Sequence, residues 1–129
     1  MEIVEAKASH VPEIEEIWKE FMDFHKDIDP YYARSEDGHL NFGKYVKDLI
    51  KAEDSQVLVA LEQGVVVAYS ISQIAKRPPV FEHQTYGFVS DVAVKSNHQR
   101  KGIGERLLVK IYEWFESNQI SRVELRVAS

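Results

Sequence analysis

Apolar and polar residues alternate over residues 2–7 (Glu-Ile-Val-Glu-Ala-Lys), the two-residue period of a half-buried strand. The period then changes. Ile14, Ile17, Trp18, Phe21 and Met22 recur at helical spacing, predicting an amphipathic helix from a Ser9 N-cap to about His25, with Pro12 in its first turn and Glu13 and Glu15 complementing its positive end. A loop through Pro30 follows, and Phe42, Tyr45, Val46, Leu49 and Ile50 mark a second helix. Residues 56–62 and 65–75 read as two apolar strands joined at Gln63-Gly64 in a hairpin turn. After a loop containing Pro78-Pro79, residues 85–94 form a third long strand pattern. A helix over residues 102–118 buries Ile103, Leu107, Leu108, Ile111, Trp114 and Phe115, and residues 122–127 alternate once more. The predicted order is β-α-α-β-β-β-α-β. It describes an α/β domain with a mixed, mostly antiparallel central sheet flanked by helices, the last strand parallel to the strand before the final helix.

No repeat, low-complexity tract or linker interrupts these 129 residues, so 1–129 reads as one domain. With 44% apolar and 29% charged residues the chain has the balance of a soluble globular protein. The absence of cysteine excludes a disulfide framework, thiolate metal ligands and a cysteine nucleophile, and points to a cytoplasmic setting. Neither a basic-then-apolar leader nor an apolar run near the roughly 20 residues of a membrane span occurs.

The net charge of −5 argues against general nucleic-acid binding, but its distribution is uneven. Residues 1–64 carry a balance of −8, residues 65–129 one of +3. The positive charge gathers at Lys95, Arg100, Lys101, Arg106 and Lys110, which reads either as a solvated helix face or as an anion site. The second reading draws on context. A strand ending Val92-Ala93-Val94 leads through Lys-Ser-Asn-His and Gln99-Arg100-Lys101-Gly102-Ile103-Gly104 directly into a helix, the arrangement that presents free backbone N–H groups to phosphate. The GxxxxGK[ST] loop is absent, and GxGxxG fails for want of its third glycine.

What remains is Q/R-x-x-G-x-G/A after an apolar strand, and here the sequence resembles the GNAT superfamily of acyl-CoA-dependent N-acetyltransferases. The resemblance runs from the first strand to the last. It implies that the pyrophosphate of acetyl-CoA, the co-substrate, sits on Gln99, Arg100, Lys101, Gly102, Ile103 and Gly104. It further implies that the strand Val92-Ala93-Val94 splays from its neighbour, the N–H of Val92 polarising the thioester carbonyl and Val94 holding the pantetheine arm. GNAT domains continue into a further helix, carrying a tyrosine that in many members protonates the leaving thiolate. This chain stops at Ala128-Ser129, so the domain reads as truncated after its last strand.

The implied reaction is direct attack of a primary amine of a small molecule or peptide on acetyl-CoA in a ternary complex. An unprotonated amine calls for a base. Many members place a glutamate where this chain has Phe88, and others carry Glu-Asp where it has Ser90-Asp91. Asp91 is therefore the first candidate base or substrate ligand, against a strand-end carboxylate bonded to backbone. Glu82 and His83 come next. The acceptor site implied by the family lies between the first two helices and the sheet, where Asp29, Tyr31 and Tyr32 are candidates, against a polar turn with aromatic packing. The five histidines show no ligand spacing, so no metal is expected. Trp18 and Trp114 read as core on their helix stripes. A homodimer is compatible with the family, and two rival readings stand beside the enzyme: a coenzyme A-binding module without turnover, and a structural α/β domain.

Overall fold

The computed structural model describes residues 1–27, 31 and 35–126. Its strands are β1 (Glu2–Glu5), β2 (Ser55–Glu62), β3 (Val65–Lys76), β4 (Thr85–Val94) and β5 (Val123–Leu125), and its helices are α1 (Val11–Lys26), α2 (Gly38–Lys51) and α3 (Ile103–Ser117). The strands form one sheet in the order β1-β2-β3-β4-β5, antiparallel except for the β4–β5 pair. The α/β class and the element order match the pattern read from the sequence.

Alternation along β2 and β3 sorts side chains to two faces. One face, with Val57, Val59, Tyr69 and Ile71, packs beneath Val11, Ile14 and Ile17 of α1 and Val46 and Leu49 of α2. The other, with Leu58, Ala60, Ala68 and Val89, packs beneath Ile103, Leu107, Ile111 and Phe115 of α3. A sheet clothed on both sides explains why β2 and β3 read as nearly continuous apolar runs, since neither face meets water. Each fully buried Ile, Leu or Phe contributes roughly 1.5–3 kcal/mol.

The β2–β3 turn is made by Gln63 (φ 52°) and Gly64 (φ 80°), two consecutive left-handed residues, the two-residue connection that matches strand twist. Helix α1 begins one residue later than predicted, its N-cap being His10 rather than Ser9. Ser9 lies in a short 3-10 turn over Ala8–His10, in which the Lys7 N–H donates to His10 Nδ1 at 3.0 Å. Pro12 then takes the second position of α1, where a missing N–H breaks no helical bond. Strand β5 is shorter than residues 122–127, although Arg126 still donates its N–H to Val89 O at 3.0 Å. Among the described residues no helix is long and apolar enough to cross a membrane.

Two glycines set how closely helices approach. A Cβ on Gly43 of α2 would lie 2.6 Å from Glu15 Oε1, the mobile end of a side chain. At Gly87 it would lie 2.7 Å from the ring of Phe115, which is 1% exposed and has nowhere to move. Gly87→Ala is therefore expected to lower stability by about 1–3 kcal/mol through overpacking, read as a reduced urea midpoint, whereas Gly43→Ala should fall below that range.

Candidate active site

Strand β4 is the spine of the site. It pairs with β3 along its whole length but with β5 only at Gly87, Phe88 and Val89. Lys95 donates its N–H to Val67 O at 2.9 Å, so by alternation Ala93 and Asp91 also direct their peptide groups at β3. The peptide groups of Val92 and Val94 therefore face the side that β5 does not reach. Val94 O accepts a bond from Gln99 Nε2 at 3.2 Å, and among the described residues no strand pairs with the two N–H groups on that side.

A bulge sets what faces the helices. Asp91 lies opposite Ile71 while Val89 lies opposite Ser72, so Ser90 is an extra residue in β4. The insertion reverses the alternation beyond it and turns Asp91 onto the α1–α2 face, beside Tyr69. The Tyr69 hydroxyl donates to Asp91 Oδ2 at 3.2 Å. Burial raises the Asp91 carboxyl above its ordinary value, with the hydroxyls of Tyr69 and neighbouring Ser90 pulling the other way. Ser90 Oγ itself has no partner of good hydrogen-bond geometry. Burial, reinforced by Asp91, also holds the Tyr69 hydroxyl well above its usual value, so it stays protonated as a donor.

Asp91 stands in a cleft of about 470 Å³, with Ser90, Val92 and Ala93 on the strand side and Trp18, Phe21 and Met22 of α1, Phe42 of α2, Tyr69 and Arg126 around it. Trp18 and Phe42 stack with ring centroids 4.9 Å apart and planes 11° apart, and Phe42 sits 6.1 Å from Tyr69. Trp18 thus packs against the core, as its stripe predicts, and also walls the cleft, which the stripe alone does not say.

The loop after β4 is held from three sides. Gln99 reaches back to Val94, the Ser96 N–H donates to Glu20 Oε1 of α1 at 2.7 Å, and His98 Nε2 lies 3.2 Å from Glu62 Oε2 at the end of β2. Arg100 (φ 64°) and Gly102 (φ 77°) are left-handed, flanking Lys101, the alternating backbone hand of an anion-binding nest. Gly102 is the N-cap of α3, and no side chain caps the helix. A Cβ there would meet nothing within 4 Å, and one on Gly104 would touch only Val92 Cγ1 at 3.9 Å, so the cradle is open space. Ile103 is buried beneath α3. Arg100 and Lys101 are exposed beside the loop. The start of α3 thus lies beside Val92 of β4.

Glu82 and His83 lie apart from this cleft. Glu82 and His83 are exposed in the β3–β4 loop, and His83 borders a second cleft with Arg77, Tyr86 and Arg122. From Thr85 to Asp91 six strand steps cover roughly 20 Å, so neither Glu82 nor His83 is brought to Asp91. Tyr31 is exposed, and Asp29 and Tyr32 lie outside the described residues.

A model of the acetyltransferase (GNAT) family matches residues 11–129. The chain belongs to that family, and its chemistry is N-acetyl transfer. Solved structures of the same fold include a tetramutant of BH1408 from Bacillus halodurans (23% identity, TM-score 0.88, covering 100% of this chain and 84% of that one). An acetyltransferase from Vibrio fischeri has 12% identity and a TM-score of 0.80, covering 98% of this chain and 96% of that one. An aminoglycoside 6'-N-acetyltransferase, AAC(6')-IG from Acinetobacter haemolyticus, has 16% identity and a TM-score of 0.77, covering 99% and 80%. A sequence search of curated proteins finds no match.

Because folding raises the Asp91 carboxyl above its reference value of 3.8, the native state binds this proton more tightly than the unfolded chain. Its favourable contribution is full below 3.8 and is lost as pH rises through the folded value. Asp91→Asn should therefore raise the urea midpoint at pH 7.5, with the gain shrinking as pH falls to 4. A gain that is the same at both pH values would show that ionisation of Asp91 is not its source.

Proposed function

We propose that the chain transfers an acetyl group from acetyl-CoA to a primary amine of a small molecule or peptide, by direct attack in a ternary complex. The observation that carries this reading is the edge of β4 past Val89, which no described strand pairs, with the uncapped start of α3 beside Val92 and the cleft holding Asp91 next to it. Gln99, Arg100, Lys101, Gly102, Ile103 and Gly104 supply the cradle for the pyrophosphate, through loop N–H groups and two exposed cations. The cradle fits a phosphate group, because Gly102 and Gly104 leave it unfilled. Val94 and the peptide groups of Val92-Ala93-Val94 form the edge along which an extended amide-bearing arm can lie.

The N–H of Val92 opens onto this edge beside the cleft, where it donates to the thioester oxygen as negative charge develops. One such donor is typically worth about 3 kcal/mol in the transition state. Asp91 is the base. It takes a proton from the ammonium form of the acceptor, the amine nitrogen bonds to the acetyl carbon, the C–S bond breaks, and coenzyme A leaves as its thiolate, which takes up the proton that the newly bonded nitrogen sheds. Tyr69 positions Asp91 by donating to Oδ2. A carboxyl raised by burial is a stronger base than an ordinary one, which suits proton abstraction near neutral pH. The acceptor occupies the cleft between α1, α2 and the sheet. The cysteine-free sequence fits a reducing cytoplasmic setting.

Calorimetric titration with acetyl-CoA should give saturable binding that adenosine, lacking pyrophosphate, does not reproduce, and Gly102→Val should weaken it. Absence of binding to the wild-type chain would remove the loop assignment. Asp91→Asn should lower kcat by about 10²-fold or more while leaving acetyl-CoA affinity in place. Its activity should also lose the acid limb of the pH profile, which in the wild type lies above the ordinary carboxylate range. Unchanged turnover would dispose of the base.

A further inference from the structure

The walls of the acceptor cleft carry information about what enters it. Four of its ten described lining residues are aromatic (Trp18, Phe21, Phe42 and Tyr69), and Met22 adds a polarisable thioether. Trp18 and Phe42 are stacked within 11° of parallel, so they present one continuous apolar wall, while Phe42 leans against Tyr69 at 57°. Among the described lining residues Asp91 is the one acidic group, and Arg126 brings a cation. The Arg126 guanidinium lies over the Phe88 ring at 4.9 Å and within 3.9 Å of Glu124, an arrangement that holds it at this edge of the sheet.

We infer that the acceptor is a monocationic amine carried on a flat apolar body, an arylalkylamine in chemical class. This rests on the acetyl-transfer reading and specifies its acceptor. One carboxylate among aromatic rings can compensate one ammonium group. A second or third ammonium on the same molecule would lose its hydration against Trp18, Phe21 and Phe42. A flat ring, by contrast, packs face or edge on the Trp18–Phe42 wall and gains from both burial and ring geometry. Size agrees. A cleft of about 470 Å³ lies toward the small end of the roughly 300–1,000 Å³ of small-molecule sites and must also admit the acetyl end of the donor. One ring and a short chain fit that space.

The test compares 2-phenylethylamine, n-hexylamine, spermidine and kanamycin as acceptors with saturating acetyl-CoA, following thiol release. The kcat/KM for 2-phenylethylamine should exceed that of each of the others by about tenfold or more. Trp18→Leu should raise KM for 2-phenylethylamine with a smaller change in kcat, and should bring the ratio of 2-phenylethylamine to n-hexylamine close to one. A mere loss of stability would lower both substrates together and leave that ratio intact. Binding is read separately in Trp114→Phe, where Trp18 is the remaining tryptophan: 2-phenylethylamine should quench its fluorescence saturably in the presence of coenzyme A, and kanamycin should not. Preference for spermidine or kanamycin would overturn the inference while leaving acetyl transfer standing. Failure of 2-phenylethylamine both to bind and to be acetylated would overturn it too. Failure of acetyl-CoA itself to bind would instead strike at the underlying reading.

Discussion

The whole site depends on one strand being half paired. β4 cannot leave β3, because their pairing runs from Thr85 to Val94 and contributes Val89 and Ala93 to the two cores. Its other edge is a different matter. β5 stays with it for three residues, and among the described residues no strand meets the peptide groups on that side past Val89. Unpaired peptide groups are costly when buried away from water, so a protein leaves them at a place open to solvent or to a ligand. The gap is held open by what surrounds it: α3 starts directly over Val92, and the loop before it is tied at Ser96, His98 and Gln99.

Helix α1 is tied to the end of the β3–β4 pair at two points. Glu13 accepts the N–H of Val66, where β3 carries its own register shift, and Glu20 accepts the N–H of Ser96 in the loop after β4. Hydrogen bonds to charged groups are worth about 1.5–3 kcal/mol when shielded, less at an exposed site such as Ser96. The same helix turns Trp18, just before the second anchor, and Phe21 and Met22, just after it, toward the cleft. Its apolar stripe is therefore divided in use: Ile14 and Ile17 are buried in the core, and the following turn is spent on the acceptor wall.

The elements were legible because their periodicities are strong, and β4 occupies 85–94 as its pattern predicts. The loop was legible because glycine at Gly102 answers a specific backbone demand, a left-handed φ of 77°. Asp91 was reachable as a candidate, but its environment was not. The bulge that turns it toward Tyr69 leaves one trace in the sequence, the paired polar residues Ser90-Asp91 interrupting an apolar run. Tyr69 gave no trace, since a tyrosine in a buried strand reads as core. Glu82 and His83 drew attention by nearness along the chain, and a strand converts that nearness into distance. Trp18 illustrates a limit of periodicity, which tells which face a residue is on but not whether that face is covered.

The buried hydroxyls around β4 indicate what the arrangement costs. Ser70 and Ser72 of β3 are fully buried opposite Val92 and Val89, and neither Oγ has a partner. An alanine or valine would avoid that penalty, yet valine at Ser70 would add bulk beside Val92, at the point where Gly104 of α3 comes within van der Waals reach. Asp91 imposes a second cost of the same kind, a carboxylate held where burial disfavours its charge. Neither feature favours folding. Both make sense for a strand whose free edge has to meet a ligand, and they locate in this chain the usual opposition between a stable core and a working site.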